Sequence, residues 1–322
     1  MATYKEINGQ KIQNVSSDPP APFNGQVWYN STSGALKAKA SIQVAAWSTG
    51  GALNTARTVL AGAGTTTAAL AFGGETPGND TESYNGSNWT EVNDLNTSRV
   101  SLAGAGTQTA ALGFGGYNPP GSALSVTETW NGTNWTEVND LGTARNYIAG
   151  DGTNTAALAF GGSPSPGNIT GATESWNGTN WTAVTALNTA RWVLAGAGTT
   201  TAALAFGGAA PFPTATAVTE LWNGSNWTEV NDLNTARKLY GGGSGTSTSA
   251  LAYGGGPYTA VTESWNGTNW TEISDLGTAR YGMGTAGTSN TSALAFGGYG
   301  GQSLTEEYGV GPVAAVVTIT TS

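Results

Sequence analysis

Short apolar runs without alternating polar positions recur along the chain, and they are the first feature that predicts structure. The run TAALGFGG at 109–116 has too few polar residues for one face to contact water, so it predicts a strand buried on both faces. The segment before it, 100–106, is rich in Ala and Gly, and the segments after it, 127–130 and 135–141, each carry a Trp. Together these segments predict a block of four short β-strands.

This block is repeated six times, and two markers define the repeat. An aromatic residue followed by Gly-Gly marks the second predicted strand, at Phe72, Phe114, Phe160, Phe206, Tyr253 and Phe296. An arginine closes each block, at Arg57, Arg99, Arg145, Arg191, Arg237 and Arg280. The arginines lie 42 to 46 residues apart, a period that fits one four-stranded blade of a β-propeller. We therefore expect an all-β, six-bladed propeller.

The sequence between the third and fourth strands predicts a tight hairpin. Its form is Trp-Asn-Gly-Thr-Asn-Trp, as at 130–135, and Asn-Gly supplies the positive φ angles that such hairpins require. The two flanking Trp side chains are expected in the core between blades.

The ends of the repeat predict how the ring closes. The sixth block has its first three strands, at 281–287, 292–298 and 304–308, but no fourth. The segment 46–57 matches the fourth-strand pattern and has no three strands before it, so we expect it to complete the last blade and remove the open sheet edges. The expected divisions are an N-terminal attachment segment at 1–46, a propeller at 47–308 and a β-strand tail at 309–322.

Composition restricts the chemistry of the chain. The 322 residues include no His and no Cys, which removes Ser-His-Asp triads, thiolate nucleophiles and most zinc, copper or iron sites. The net charge of -9 argues against nucleic-acid binding, and no apolar run is long enough to span a bilayer. We therefore expect no catalytic residues, no metal, no cofactor, no nucleic-acid partner and no membrane insertion.

The ordered markers resemble the kelch repeat: Gly-Gly after a buried second strand, an aromatic residue in the third, Trp in the fourth and Arg before the next blade. The sequence LNTAR followed by LAGAGTxTAALAFGG is similar to sequences in kelch-like proteins of marine bacteriophages. The segment at 17–37, with SDPP and GQVWYN, resembles a short hairpin module of phage tail and virion-surface proteins. The resemblance implies a six-bladed kelch-like propeller located in a virion, on the tail or the capsid surface.

One Glu accompanies each Arg, in the third strand of every block. Because both charges recur at the same spacing, we interpret them as inter-blade ion pairs and not as a ring that grips a substrate. The glutamates are Glu82, Glu128, Glu174, Glu220, Glu263 and Glu306.

The repeats differ most in the loops between their second and third strands, at 75–80, 117–125, 163–171, 209–217, 256–260 and 299–303. In a kelch topology all six loops surround one mouth of the channel, where rigid scaffolds usually carry binding residues. Unconstrained drift of surface loops is the competing interpretation. The candidate binding residues are Asp80, Tyr117, Asn118, Asn168, Phe212, Tyr258 and Tyr299.

The N-terminal segment contains a predicted hairpin, 26–30 paired with 35–39, and is too short for its own core. We expect it to bind other virion proteins or further copies of the chain, so the protein is expected to be a homo-oligomer. The leading hypothesis is a non-enzymatic virion structural protein whose propeller binds a host-surface glycan or protein. A cellular or secreted kelch-type protein-binding adaptor is the alternative, and a divergent carbohydrate-active enzyme is the third.

Overall fold

The computed structural model describes residues 6–7, 10–75, 77–211, 213–300 and 303–319. Two compact units divide the chain: Trp47–Gly309 forms one, and Met1–Ala46 with Val310–Ser322 forms the other. The described residues contain strands and turns and no helix, which confirms the predicted all-β class. Consequently, no helix that could cross a membrane occurs in this part of the chain.

The first five strands begin in the smaller unit, and the fifth continues into the larger one. β4 and β5 form an antiparallel hairpin in which Asn30 pairs with Ala35, and β3 lies parallel to β4. The hairpin was predicted to end at residue 39, but β5 runs on to Thr49 without a break. These strands are β1 (Glu6–Ile7), β2 (Gln10–Lys11), β3 (Gln13–Val15), β4 (Val27–Asn30) and β5 (Ala35–Thr49).

The larger unit contains five four-stranded sheets, each made of four consecutive strands. They are β6 (Ala61–Gly64), β7 (Ala69–Phe72), β8 (Thr81–Tyr84) and β9 (Trp89–Glu91); β10 (Ala103–Thr107), β11 (Ala110–Phe114), β12 (Thr127–Trp130) and β13 (Trp135–Val138); β14 (Ala149–Thr153), β15 (Ala156–Phe160), β16 (Thr173–Trp176) and β17 (Trp181–Val184); β18 (Ala195–Thr199), β19 (Ala202–Phe206), β20 (Thr219–Trp222) and β21 (Trp227–Val230); β22 (Gly243–Thr246), β23 (Ser249–Tyr253), β24 (Thr262–Trp265) and β25 (Trp270–Glu272).

A further sheet differs from these five because it has six strands. Its order is β26 (Gly284–Ser289), β27 (Ser292–Phe296), β28 (Thr305–Thr318), β5, β4 and β3. Within the larger unit, the end of β5 lies beside the start of β28: Gly50 N donates to Thr305 O at 2.9 Å, and Ser48 Oγ donates to Glu307 O at 3.4 Å. In the smaller unit, the tail lies beside the hairpin, since Ile319 N donates to Leu36 O at 2.8 Å.

The first strands of neighbouring sheets pack side by side around a common axis. The contacts run from β6 through β10, β14, β18 and β22 to β26, and β26 returns to β6, so the ring is closed. The second strands are buried on both faces, as the apolar runs predicted; Phe114, for example, is fully buried. The larger unit is therefore a β-propeller.

Aromatic packing joins each sheet to the one before it. The fourth-strand indole of Trp135 lies 4.9 Å from the ring of Phe72 in the preceding sheet, and its Nε1 donates to Thr81 Oγ1 at 3.1 Å. The flanking Trp side chains are mostly buried, as predicted, with Trp181 half-buried. The same pairing of ring and hydroxyl recurs for Trp181 with Phe114 and Thr127, Trp227 with Phe160 and Thr173, Trp270 with Phe206 and Thr219, and Trp89 with Phe296 and Thr305.

The Asn-Gly turns differ in one respect from the prediction. Gly132 has a φ of 91°, but Asn131 is absent from the residues of positive φ. Its side chain acts instead: Asn131 Oδ1 accepts hydrogen bonds from the backbone nitrogens of Thr133 and Asn134 at 2.9 and 2.8 Å. The turn is thus a four-residue loop with an Asx turn, which needs only the glycine to be left-handed.

Candidate functional site

The first strands enclose a central channel with a volume of about 270 Å³. Its wall is mostly Ala and Gly because the strands converge closely. A Cβ atom on Gly62 would lie 2.3 Å from Thr285 O, and one on Gly104 would lie 2.5 Å from Gly62 O. Small residues in these strands therefore permit the ring to close around the axis.

Five backbone hydrogen bonds run around one mouth of the channel and form an open ring from Gly282 to Tyr240. Tyr147 N donates to Ser101 O at 2.9 Å, and Ser101 N donates to Val59 O at 2.8 Å. The series continues from Val193 N to Tyr147 O, from Tyr240 N to Val193 O, and from Val59 N to Gly282 O. The five non-glycine residues in this ring have φ between 48° and 54°. L-residues seldom adopt this conformation, and it costs about 1 kcal/mol or more at each position. The hydrogen-bonded ring holds them there.

Aromatic side chains cover much of this mouth. Tyr147 is the central member: its ring lies 5.0 Å from Trp192, 5.9 Å from Tyr240 and 6.1 Å from Tyr117. Tyr281 continues the cluster, 5.1 Å from Tyr240, 5.0 Å from Tyr258 and 4.9 Å from Tyr299. We call these seven residues the aromatic mouth: Tyr117, Tyr147, Trp192, Tyr240, Tyr258, Tyr281 and Tyr299. Tyr258 is 53% exposed, and the others are half-buried.

The hydroxyls of the aromatic mouth are suited to donate hydrogen bonds. Burial raises the pKa of Tyr240 to about 12. Burial and the hydrogen bond to Glu75 raise the pKa of Tyr299 to about 12, and Tyr299 Oη donates to Glu75 Oε1 at 2.5 Å. These two phenols remain protonated at neutral pH. The Tyr299 proton is donated to Glu75, so the mouth combines apolar ring faces with the neutral hydroxyl of Tyr240.

The structure brings three of the predicted loop residues into the aromatic mouth: Tyr117, Tyr258 and Tyr299. Asp80 does not belong to the mouth. Its side chain is buried, burial raises its pKa, and its backbone oxygen accepts a 2.6 Å hydrogen bond from Arg57 Nη1. Asn118 and Asn168 are exposed and have no ring contact, and Phe212 lies outside the described residues.

The sequence reasoning missed four residues of the mouth, Tyr147, Trp192, Tyr240 and Tyr281. All four directly follow the repeated Arg, within one to three positions, where the copies also differ: TVL, VSL, NYI, WVL, KLY and YGM. This variation among the copies was visible in the sequence, but the prediction considered only the loops between the second and third strands. The backbone pairing of Val100 with Tyr117 and of Tyr281 with Tyr299 brings the two variable segments together.

The channel also contains a carboxyl group that the sequence reasoning did not single out. Asp151 lies in β14, and its two oxygens accept hydrogen bonds from Gly152 N at 2.6 Å and Gly198 N at 2.7 Å. Burial raises the pKa of Asp151 to about 7. A carboxyl group that titrates near neutrality in a cavity is an unusual group and marks the channel as a candidate site.

The repeated Arg and Glu side chains lie together in six buried ion pairs. Each pair joins a guanidinium Nη to the Oε1 of a third-strand Glu, and every side chain is at most 5% exposed. The N–O distances are 2.9 Å for Arg57–Glu82, 3.0 Å for Arg99–Glu128, 2.9 Å for Arg145–Glu174, 3.0 Å for Arg191–Glu220, 2.9 Å for Arg237–Glu263 and 3.1 Å for Arg280–Glu306.

Further hydrogen bonds surround these pairs, although the Nε atom of each of the six arginines is buried without a hydrogen bond. Arg99 Nη1 donates to Gly115 O and Val126 O, while Glu128 accepts from the backbone and side-chain nitrogens of Asn96. Asn96 and Arg99 belong to the segment after one sheet, and Glu128 lies in the next. Burial lowers the pKa of Arg99, and the charge of Glu128 acts in the opposite direction. Glu128 does not line the channel, because its carboxylate is held by Arg99 and Asn96.

The described residues contain no group of three metal-ligating side chains close enough to hold an ion. The smaller unit has its own polar cluster around Asp18. Its carboxylate accepts from Trp28 Nε1 at 3.0 Å, Asn30 Nδ2 at 2.8 Å and Lys37 Nζ at 2.8 Å. These hydrogen bonds, above all the one from Lys37, lower the pKa of Asp18 to about 2. The cluster joins the SDPP segment to both strands of the hairpin.

Comparison with known proteins identifies the fold and not a family. No family model matches the chain, and no curated protein matches it. A solved structure titled "Structure of YjhT" is similar to this chain. The matched region covers 84% of this chain and 99% of that protein's chain, with a TM-score of 0.67 and 12% sequence identity. At this identity the likeness shows the fold alone, so the chain is defined as a β-propeller protein. The kelch and phage resemblance stays a prediction.

Proposed function

We propose that this chain is a non-enzymatic structural protein of a bacteriophage particle, on the tail or capsid surface, whose propeller binds a host-surface glycan or protein at the aromatic mouth. The observation that carries the binding proposal is the mouth itself. Seven aromatic side chains from four consecutive inter-sheet segments and their neighbouring loops form one partly exposed surface. Aromatic rings with hydroxyl groups supply apolar area and hydrogen bonds at low entropic cost, and they are common in binding surfaces.

We infer that the propeller has six blades and that the six-stranded sheet is the sixth. In this interpretation β26, β27, the start of β28 and the end of β5 are its four strands. Trp47 takes the fourth-strand position: its ring lies 5.0 Å from Tyr253, and its Nε1 donates to Thr262 Oγ1 at 3.1 Å. This is the arrangement of the other five sheets, with Tyr253 in place of Phe. The first and last segments of the larger unit would thereby be joined in one blade.

We assign virion attachment and self-assembly to the smaller unit. It carries large apolar side chains that contact water, among them Phe23 at 68% exposure and Val313 at 49%. The others are Ile42, Val44, Val310, Val316 and Ile319. A soluble protein rarely leaves such a set uncovered, so contacts with other copies or other virion proteins would account for it. Several copies on one particle would let weak mouth contacts add through multivalency.

The inter-sheet ion pairs are assigned a structural role in this proposal. Each connects the segment that leaves one blade to the third strand of the next, and in each the Oε2 atom of the Glu accepts a backbone hydrogen bond from that segment. The same arrangement occurs six times and none of the pairs lines the channel, which favours locking of the ring over substrate binding.

The test uses phage particles that carry full-length variants. Tyr258→Ser combined with Tyr281→Ser should lower host adsorption by about tenfold. Each aromatic contact contributes about 1 kcal/mol, and every copy on the particle loses both contacts. Thr179→Ala, in the exposed turn between β16 and β17 at the opposite end of β16 from the loop 163–171, is the control and should adsorb normally. Normal particle yield with normal adsorption of the double variant would overturn the binding proposal, while failure of all particles to contain the protein would overturn the virion assignment.

A further inference from the structure

Asp151 occupies a position at which the other first strands carry a small, uncharged residue. The equivalent residues are Ala63, Ala105, Ala197, Ser244 and Ala286. Five strands therefore pack around the axis without a carboxyl group at this point. Closure of the ring alone does not explain why one strand places an acid in the channel.

The hydrogen bonds of Asp151 leave part of its acceptor capacity unused. Each oxygen accepts one backbone hydrogen bond, at 2.6 and 2.7 Å, whereas a carboxylate can accept about four in all. No Lys or Arg lines the channel among the described residues. The strands packed around it, β10, β15 and β18, contain no ionisable side chain. Asp151 is half-buried. A carboxylate partly withdrawn from water is normally paired with a cation, and the described lining supplies none.

A second polar group in the same cavity is also without a partner. Ser101 lines the channel, is 6% exposed, and its Oγ is buried without a hydrogen bond. Buried polar atoms normally have a partner, and leaving one unsatisfied costs about 1–3 kcal/mol. Ser101 lies beside Tyr147 at the mouth, since Tyr147 N donates to Ser101 O, and Asp151 lies four residues further along the chain, in β14. The two groups therefore offer unused hydrogen-bonding capacity at different depths of the cavity.

The mouth of the channel has the chemistry that attracts a cation. Tyr147 and Tyr240 line the cavity as well as the mouth, and their rings lie 5.9 Å apart at an angle of 79°. The negative face of an aromatic ring attracts an organic cation by about 0.5–2 kcal/mol, depending on desolvation. The net charge of -9 adds a long-range attraction of the same sign.

We propose that the channel binds a primary alkylammonium group, with Asp151 accepting hydrogen bonds from the ammonium, and with Ser101 and the rings of Tyr147 and Tyr240 lining its path from the mouth. The narrow Ala and Gly wall selects an unbranched chain over a branched one. The ligand class is thus a linear amine, or a macromolecular side chain that ends in one. This site does not rest on the proposed virion role, because the binding is measured on the isolated protein.

A purely structural role for Asp151 predicts different behaviour. If Asp151 only links β14 to β18, its substitution would change the stability, and the wild-type protein would show no preference for a cationic solute. The Asp151→Ala variant separates the two, because the chain itself carries Ala at this position in four of the other five strands, and the variant is expected to fold.

The experiment is calorimetric titration of the full-length protein with n-butylammonium chloride at pH 8, with butan-1-ol as the neutral solute of similar shape. Wild type should bind the ammonium and not the alcohol. Asp151→Asn and Asp151→Ala should weaken binding at least tenfold, as expected for hydrogen bonds to a charged group. Glu137→Gln removes the same charge from an exposed strand position and should leave binding unchanged.

The pH dependence supplies an independent readout. Lowering the pH from 8 to 6 should weaken butylammonium binding by about tenfold, because Asp151 becomes protonated while the amine stays charged. The other titratable groups in the described lining are the phenols of Tyr147 and Tyr240. Absence of binding to the folded wild type, equal binding of butan-1-ol, or equal affinity of Asp151→Ala would each overturn the proposal.

Discussion

The indole Nε1 of Trp47 donates a 3.1 Å hydrogen bond to Thr262 Oγ1, although 215 residues separate the two along the chain. Trp47 also lies 5.3 Å from the ring of Tyr308, so an N-terminal residue is packed between the last two sheets of the ring. This relationship makes the propeller depend on residues from both ends of its sequence.

Removal of this indole should therefore destabilise the whole propeller. Trp47→Ala should lower the free energy of unfolding by about 3 kcal/mol, since it loses ring packing as well as the hydrogen bond. Trp47→Phe keeps most of the packing and should lose about 1 kcal/mol. Urea unfolding followed by circular dichroism measures both, and unchanged stability of Trp47→Ala would show that this strand does not hold the ring closed.

The buried ion pairs predict strong coupling between partners. Glu128→Gln leaves the guanidinium of Arg99 without its counter-charge and should cost about 3–5 kcal/mol. The double variant Arg99→Met with Glu128→Leu removes both charges. Its cost should be much less than the sum of the costs of Arg99→Met alone and Glu128→Leu alone. A double-mutant cycle by chemical unfolding gives the coupling energy. Additive effects would mean that the two charges do not stabilise one another.

Asp151 should make stability depend on pH in a characteristic direction. In the unfolded chain this carboxyl ionises near its ordinary pKa of 3.8, whereas in the folded protein it stays protonated up to about pH 7. The unfolded state therefore binds fewer protons between these values, and stability falls as pH rises from about 4 to 7, by on the order of 4 kcal/mol. Unfolding curves of wild type and Asp151→Asn should diverge over this window. Parallel curves would contradict the raised pKa.

Asp18 predicts the opposite dependence in the smaller unit. Its lowered pKa of about 2 means that its contribution is present above pH 4 and is lost as the pH falls toward 2. The indole proton signal of Trp28, assigned by its loss in Trp28→Phe, should shift over this range as Asp18 releases it. Asp18→Asn should abolish the shift, and a shift that persists in Asp18→Asn would assign it to another group.

The linear pattern of the repeats was sufficient to predict the all-β class and the propeller. A six-fold repeat in which every block has an apolar run, a turn and two Trp residues can bury those residues only by stacking one block on the next. The hairpin at 27–39 was equally local, since a short turn fixes the register of Asn30 with Ala35. The uninterrupted course of β5 from the hairpin to Thr49 was not predictable, because no local signal distinguishes one long strand from two.

What the tertiary structure alone decided is the location of the candidate chemistry. Repetition identified Arg99 and Glu128 as candidate ion-pair residues, but only the packing shows that they form a buried ion pair away from the channel. Asp151 was a single acid in a Gly-rich strand, and Tyr147 a single aromatic after an Arg. The closed ring places Asp151 inside a cavity and Tyr147 at the mouth of that cavity. The cavity and its mouth are formed by strands from distant parts of the sequence, so neither location can be predicted from the local sequence.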